Sequence, residues 1–303
     1  MNDFMFTLWD VEHGLSIWIQ TPSGQNHCID VGKNNDTAFS PYEQMHTYHN
    51  VTALDYLAIS HPDKDHIEGL PDLIEHLGKP KCISRNKTLP DEIKYGEDNS
   101  SEYIKIFKEL DTTYIYDIDK SISPLTESVN GGIFIRILKN TYTQGMSKND
   151  TSLVVFYIFK KHLFVMPGDI EPSGWSILKK NNAATLEYIK SCANTTTLVA
   201  PHHGRESGYS EEMINDLSPD LILISDKFAK GHTDHRYYSA GKGLFAYPDG
   251  KIPPQGLPNI INCLSTKTKG RIRIHITQNG FLYINYNKET FMLLPPNSLH
   301  PNK

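Results

Sequence analysis

The stretch His61-Pro62-Asp63-Lys64-Asp65-His66 puts two imidazoles and two carboxylates within six residues. These side chains are the ligands of zinc, manganese and related divalent cations. Packed this densely without a cation, they repel one another and are costly to strip of water. The chemistry they could do together is metal-assisted hydrolysis, in which a bound cation makes water a nucleophile near neutral pH.

The pattern of polar groups at the end of an apolar run occurs three times. His61 to His66 follow Ile59-Ser60, Asp169 follows Phe164-Val165-Met166, and His202 and His203 follow Leu198-Val199-Ala200. Where strands of a layered fold end on one edge, groups just beyond them can converge. Each also has a plainer reading. Asp169 in Pro-Gly-Asp could cap the next helix. His202-His203-Gly204 could be a polar turn, and Asp65 could cap a helix over 67–77.

The elements that would position these groups can be read from periodicity. Alternation predicts strands over 4–9, 15–20 and 27–31, the last two joined at Thr21-Pro22-Ser23-Gly24. Residues 33–50 are polar and read as a surface loop. The apolar run 54–60 suits a strand covered on both faces. Ile67, Leu70, Leu73, Ile74 and Leu77 have helical spacing and stop at Gly78. A short strand at Cys82, a helix over 101–110 and a strand near Tyr114 follow. Next come strands over 132–138, 152–159 and 163–166, a helix to about 190, and a strand over 196–200. A helix over 209–217 and a strand over 221–225 complete that alternation. Residues 227–257 read as a long loop with a short helix, and strands over 271–277 and 281–286 flank Asn279-Gly280. Two sheets between helix layers satisfy this burial pattern.

Of the 303 residues, 38% are hydrophobic and 21% charged, which suits a globular chain with a real core, and the net charge is −5. A nucleic-acid coat protein, which relies on counterion release from many basic contacts, is therefore disfavoured. Cys28, Cys82, Cys192 and Cys263 are widely spaced, with no Cys-x-x-Cys pair. They read as free thiols in a reducing compartment. The first residues lack the basic and apolar runs of a signal peptide, and no apolar stretch approaches the ~18 residues of a membrane helix. A cytoplasmic protein with no membrane contact is expected.

The 61–66 cluster resembles the His-x-His-x-Asp-His signature of the metallo-β-lactamase fold hydrolases, with Asp63 in place of the second histidine. That replacement, with the following Ile67-Glu68-Gly69-Leu70, is similar to the hydrolase domain of ComEC, the competence DNA-uptake protein. Further segments resemble that domain in order. They are Asp10-Val11-Glu12-His13-Gly14, Ile29-Asp30, Asn149-Asp150-Thr151-Ser152 and Gly168-Asp169-Ile170-Glu171. Pro201-His202-His203-Gly204, Ile224-Ser225, Gly231-His232 and the 265–273 turn and strand come after. The likeness spans residues 5 to about 285. Glu12, His13, Leu15 and Thr233 depart from the family pattern, and no stretch of these 303 residues resembles ComEC's membrane channel, so a direct role in DNA import is not expected.

The resemblance implies an α/β, four-layer αββα metallo-β-lactamase-like sandwich. It would be a single domain over 1–303 with two similar halves, about 1–130 and 131–303. It implies two divalent ions, zinc or manganese. His61 and Asp63 would hold one, Asp65 and His66 the other, and Asp169 would bridge them. His203 is the favoured ligand of the two adjacent histidines and His202 a nearby donor, though their order could reverse. Asp30 would orient a ligand histidine from beneath. The family's mid-chain histidine ligand is not visible near Asn149. Asp65, His202 and His232 are the catalytic candidates, His232 as a phosphate donor or general acid.

The implied activity is that of a metal-dependent phosphodiesterase or DNase, cleaving nucleic acid through water activated by two metals. Asp63 makes the site harder and tilts it from zinc towards manganese. Lys227, Lys230, Arg236 and Lys242, interleaved with Tyr237, Tyr238, Phe245 and Tyr247, would suit a single strand, or equally a solvated rim. His235 lies on the same loop. Two alternatives stay open. One is hydrolysis of a small phosphoester or cyclic nucleotide. The other is a catalytically weak binding or regulatory module, with a protein partner in a bacterial (antiviral) defence or DNA-processing complex.

Overall fold

The computed structural model describes residues 2–96, 100–116, 118–227, 233–248, 259–286 and 289–294. The chain opens with antiparallel strands β1 (Phe4–Leu8), β2 (Ser16–Gln20) and β3 (Asn26–Val31). These are the three strands the alternation predicts. Gly24 supplies the positive φ, 88°, of the turn between β2 and β3.

Residues 33–50 are not all loop. Their second half is helix α1 (Pro41–His49), which buries Pro41, Tyr42 and Met45. Ser40 accepts from the Glu43 N–H and Pro41 occupies the first turn, a start signal hidden by the polar residues around it. After β4 (Tyr56–Ala58), the helix expected over 67–77 is two pieces, α2 (Lys64–Ile67) and α3 (Leu70–Leu77). The break is at Gly69, whose N–H donates to Val31 O at 2.7 Å. A Cβ there would meet that carbonyl at 2.6 Å, so the chain is pressed onto β3.

The strand expected at Cys82 is β5 (Ile83–Ser84), followed by α4 (Asp91–Tyr95), α5 (Glu102–Thr113) and α6 (Glu127–Asn130). Tyr114 is not in a strand; its N–H bonds Leu110 O and closes α5. Then come β6 (Phe134–Leu138), β7 (Val154–Phe159), β8 (His162–Met166), α7 (Pro172–Ser191) and β9 (Thr195–Val199). They lead to α8 (Glu211–Leu217), β10 (Leu221–Ile224) and α9 (Tyr237–Ala240). The region read as a long loop contains β11 (Leu244–Pro248). The described chain closes with β12 (Asn259–Ile261), β13 (Cys263–Ser265), α10 (Thr266–Lys269), β14 (Ile272–Ile276), β15 (Leu282–Tyr286) and β16 (Glu289–Leu294).

One sheet runs β12-β11-β16-β15-β14-β1-β2-β3-β4-β5 and the other β13-β10-β9-β8-β7-β6. The first therefore takes strands from both ends of the chain. Side-chain alternation makes the layers. Val155, Tyr157 and Phe159 of β7 join Phe4 and Phe6 of β1 between the sheets. Val154, Phe156 and Ile158 of the same strand face Trp175 and Leu178 of α7 and Met213 of α8. On the far side Trp18, Leu57, Tyr42, Leu73 and Phe107 seal the first sheet against α1, α3 and α5. This is the α/β, αββα four-layer sandwich that was expected. Each aromatic buried in it contributes about 1.5–3 kcal/mol. No helix among the described residues is long and apolar enough to cross a membrane.

Candidate metal centre

Four connections bring the polar groups to one edge of the sandwich. Asp30 ends β3, Ser60 and His61 follow β4, Asp169 follows β8, and the Pro201–Gly204 3-10 turn follows β9. The two sheets are tied at this edge by Leu153 N–H donating to Ser60 O at 2.9 Å. Gly168, at φ 57°, leaves no room for a side chain: a Cβ would lie 2.6 Å from Ser60 Cβ. Asp30, His202 and His203 are also left-handed, at φ 57°, 51° and 55°. Non-glycine residues in that region cost about 1–3 kcal/mol each and persist only where their surroundings impose them. Behind the cluster, Asp65 O accepts from Leu15 N at 3.2 Å and is flanked by Gly14 and Gly32, where side chains would collide with it.

Donor atoms of Asp65, His66, Asp169 and His203 all lie within 4.8 Å of one another. His66 Nε2 is 3.1 Å from Asp169 Oδ1, and His203 Nε2 is 3.1 Å from Asp65 Oδ2. His61 Nε2 stands 3.2 Å from Asp63 Oδ2 and 3.9 Å from Asp169 Oδ2. His202 is at the rim, its Nε2 3.7 Å from Asp169 Oδ2 and its Nδ1 3.0 Å from Ser207 Oγ. Residues separated by up to 142 positions in the chain thus share one small volume.

Beneath them, Asp30 takes three hydrogen bonds. Ser60 N–H reaches Oδ1 at 2.7 Å, Ser60 Oγ–H reaches Oδ2 at 2.6 Å, and His66 Nδ1–H reaches Oδ2 at 2.8 Å. Because Ser60 spends its hydroxyl proton on Asp30, its oxygen accepts from His61 Nδ1–H at 3.1 Å. Both imidazoles are therefore protonated on Nδ1 and turn Nε2 towards the carboxylates.

Burial alone would lower His66 and raise Asp169. The carboxylates of Asp169 and Asp30 overcome this and hold His66 well above its ordinary value, while His66 and His203 hold Asp169 well below. Asp65 is lowered in the same manner by His203 and His66. Burial opposes ionisation of Asp63 too, but His61 and Lys148 bring it down to about 2. His202 and His13 are lowered, first by burial.

The donor set fits a divalent cation. His61 Nε2, His66 Nε2 and both ring nitrogens of His203 are buried without a hydrogen-bond partner, although carboxylate oxygens lie close by. The neighbouring carboxylates favour a proton on His66, but no acceptor is aligned with these nitrogens, whereas a cation between nitrogen and oxygen would engage both.

The plainer reading of Asp169 does not hold. The exposed N–H groups at the start of α7 are met by Asp150, which accepts from Gly174 N at 3.0 Å and Glu171 N at 3.3 Å. Asp65 is not a cap either; the residue before α2 is Asp63. His232 and Lys230 lie outside the described residues. Of the other late-loop groups, Lys227, Arg236 and Lys242 pair with Asp36, Asp234 and Asp220, and Tyr237 and Tyr247 are buried. His235 is exposed. Tyr238 is exposed and Phe245 half-buried, so the described part of that loop is a rim of paired cations with an aromatic face left open.

Two site residues were not anticipated. His13 Nε2 is 3.4 Å from Asp65 Oδ2, and Arg205 donates to the His13 ring at 2.9 Å. Its signal was the departure from the opening motif at 12–13. Lys148 forms an ion pair with Asp63 Oδ1, beside the position where a mid-chain histidine was sought.

No protein-family profile matches the sequence, and no curated protein sequence matches it. Among solved structures, a diphosphatase from the PhnP family is 12% identical with a TM-score of 0.42, over 91% of this chain and 99% of that one. Igni18, a metallo hydrolase from the hyperthermophilic archaeon Ignicoccus hospitalis, is 11% identical with a TM-score of 0.43, over 85% and 97%. CmlA, a diiron β-hydroxylase from Streptomyces venezuelae, is 14% identical with a TM-score of 0.42, over 74% and 45%. Likeness at this level carries no chemistry across to this chain.

Proposed function

We propose that this protein is a metal-dependent phosphodiesterase acting on nucleic acid, most readily a DNase. The observation that carries the reading is the convergence of Asp65, His66, Asp169 and His203 from three separate segments within 4.8 Å. These four would hold one divalent ion. His61 and Asp63, with Asp169 shared, would hold a second in competition with the Lys148 ammonium.

When bound, such cations supply Lewis acidity that activates water and stabilises charge on the attacking and leaving oxygens. The chain's own groups do the rest. Asp30 and Ser60 fix the tautomers of His66 and His61, so that Nε2 is the free nitrogen in both. Asp65 Oδ2 would take the attacking water's proton. His202, at the rim and half-buried, is favoured in its neutral form by burial, so its Nε2 side would hold the leaving oxygen by a hydrogen bond. Three carboxylates around imidazoles make a hard donor set, which favours manganese over a soft-ligand metal.

The space beside the site is open to solvent and lined by cations. A cavity of about 270 Å³ opens next to Asp63, Lys64, Tyr103 and Lys148. Lys64 and Lys148 lie in its lining, where they would face a phosphate of the substrate.

The test is to reconstitute the protein with manganese or zinc and offer plasmid, single-stranded DNA and bis(p-nitrophenyl) phosphate. Cleavage of DNA that stops in chelator is expected. Intact DNA with a cleaved small diester would transfer the reading to small phosphoesters, and no turnover of any substrate would overturn it.

A further inference from the structure

The edge of the sandwich that carries the metal centre continues past it. β5 is parallel to β4, so Arg85 leaves β5 on the side where His61 leaves β4. β6 is antiparallel to β7, so Lys139 leaves β6 where β7 begins, next to Leu153. β5 and β6 are the outermost strands of their sheets, and between them lies a cavity of about 470 Å³. Two of its lining residues join it to the site. Ser84 O accepts from Ile59 N, and Leu153 N donates to Ser60 O, both at 2.9 Å.

Its lining includes Arg85, Lys87, Lys120, Lys139, Tyr114 and Tyr116, and no carboxylate among the described residues. Arg85 is paired with Asp111, and Lys87 donates to Ile115 O at 3.3 Å. Lys120 and Lys139 have no carboxylate partner among the described residues. Burial, then Lys87 and Arg85, depress the Lys139 ammonium, so the free protein bears a cost for this cluster. Tyr116 is 87% exposed beside these cations, next to the exposed Ile115. Such a mix of cations, two of them without a carboxylate partner among the described residues, and an exposed aromatic face is what a phosphate and a base together require.

We propose that this cavity binds a nucleotide of the substrate strand a few residues from the scissile phosphate. Its phosphate would meet Lys139 and Lys87, and its base would stack on Tyr116. The proposal rests on the phosphodiesterase reading and adds to it the path taken by the strand. The volume lies within the range of pockets that accept a nucleotide-sized group.

The test uses the full chain in EDTA and a fluorescent oligothymidylate of about six nucleotides. Lys139→Met should weaken binding about tenfold and lower the slope of log Kd against log salt by about 0.7. Tyr116→Ala should weaken it at least about fivefold. Thermal unfolding of Lys139→Met should match the wild type or exceed it, because a like charge has been removed; Lys87→Met serves should that variant fail to fold. Unchanged affinity and salt slope in the lysine variants and in Tyr116→Ala would overturn the proposal. Thymidine monophosphate binding as tightly as the oligonucleotide would overturn the assignment to a strand. Wild-type protein that binds the oligonucleotide in EDTA, with these variant effects, yet hydrolyses nothing with manganese would support the cavity while removing the catalytic reading.

Discussion

Asp30 Oδ2 receives His66 Nδ1–H at 2.8 Å across 36 residues of chain, at a point where both side chains are wholly buried. The bond leaves His66 Nε2 as the only nitrogen able to face Asp169. Asp30→Asn is the sharpest probe, because asparagine also tolerates the left-handed backbone at this position. It should keep the fold by circular dichroism and weaken metal affinity about 10- to 100-fold in a chelator competition. Undiminished affinity would mean that Asp30 does not orient the ligand.

Asp169 stands within 4 Å of His61, His66, His202 and His203. Asp169→Ala should bring hydrolysis below detection and remove bound metal by elemental analysis, while the far-ultraviolet spectrum is retained. Asp65→Ala should behave alike, since Asp65 faces His203 and His13. Turnover surviving in either folded variant would contradict the assigned roles.

Lys148 places a fixed positive charge on Asp63, so the His61–Asp63 half of the centre begins with a competitor for its cation. The Asp65–His66–Asp169–His203 half has no lysine or arginine paired with its carboxylates among the described residues. Wild-type protein should therefore bind one ion tightly and the second more weakly in a calorimetric titration. Lys148→Met should tighten the weaker step. Two equal, tight steps in the wild type would show that Lys148 yields without cost.

His27 is buried between the sheets, with Nδ1 2.9 Å from Tyr157 OH, and burial pushes its pKa down to about 3. The unfolded chain takes up this proton near the ordinary histidine value of about 6.5, while the folded protein does not. Between those values the unfolded state binds more protons, so stability falls as pH falls from about 6.5 towards 3. The loss is up to about 1.4 kcal/mol per pH unit. Urea unfolding in EDTA at pH 7 and pH 5 should show it, and His27→Gln should reduce the dependence by close to one proton. An unchanged slope in that variant would place the acid sensitivity elsewhere.

Local rules were enough for the strands that lead into the site and for where the chemistry sits along the chain, but not for β11 or for the end of α5 at Tyr114. Alternation marks β1 and β2, a continuous apolar run marks β7, and apolar runs that stop short mark the places where His61, Asp169 and His202 emerge. These features depend on neighbours in sequence, so sequence displays them. Helix α1 was obscured because only three of its residues are buried among polar ones, and the break at Gly69 arises from pressure of β3, which no local pattern records.

What the tertiary structure alone decided is which distant groups meet. Lys148 could have been any solvent lysine until β7 brought the preceding turn against Asp63, and His13 was only a departure from a motif until it lay beside Asp65 and His203. Nor does any run of residues foretell that Arg85 and Lys139, from the edges of two different sheets, would line one cavity. Charge and coordination act through space over a few ångströms, whereas the order of residues constrains only those joined by a few bonds.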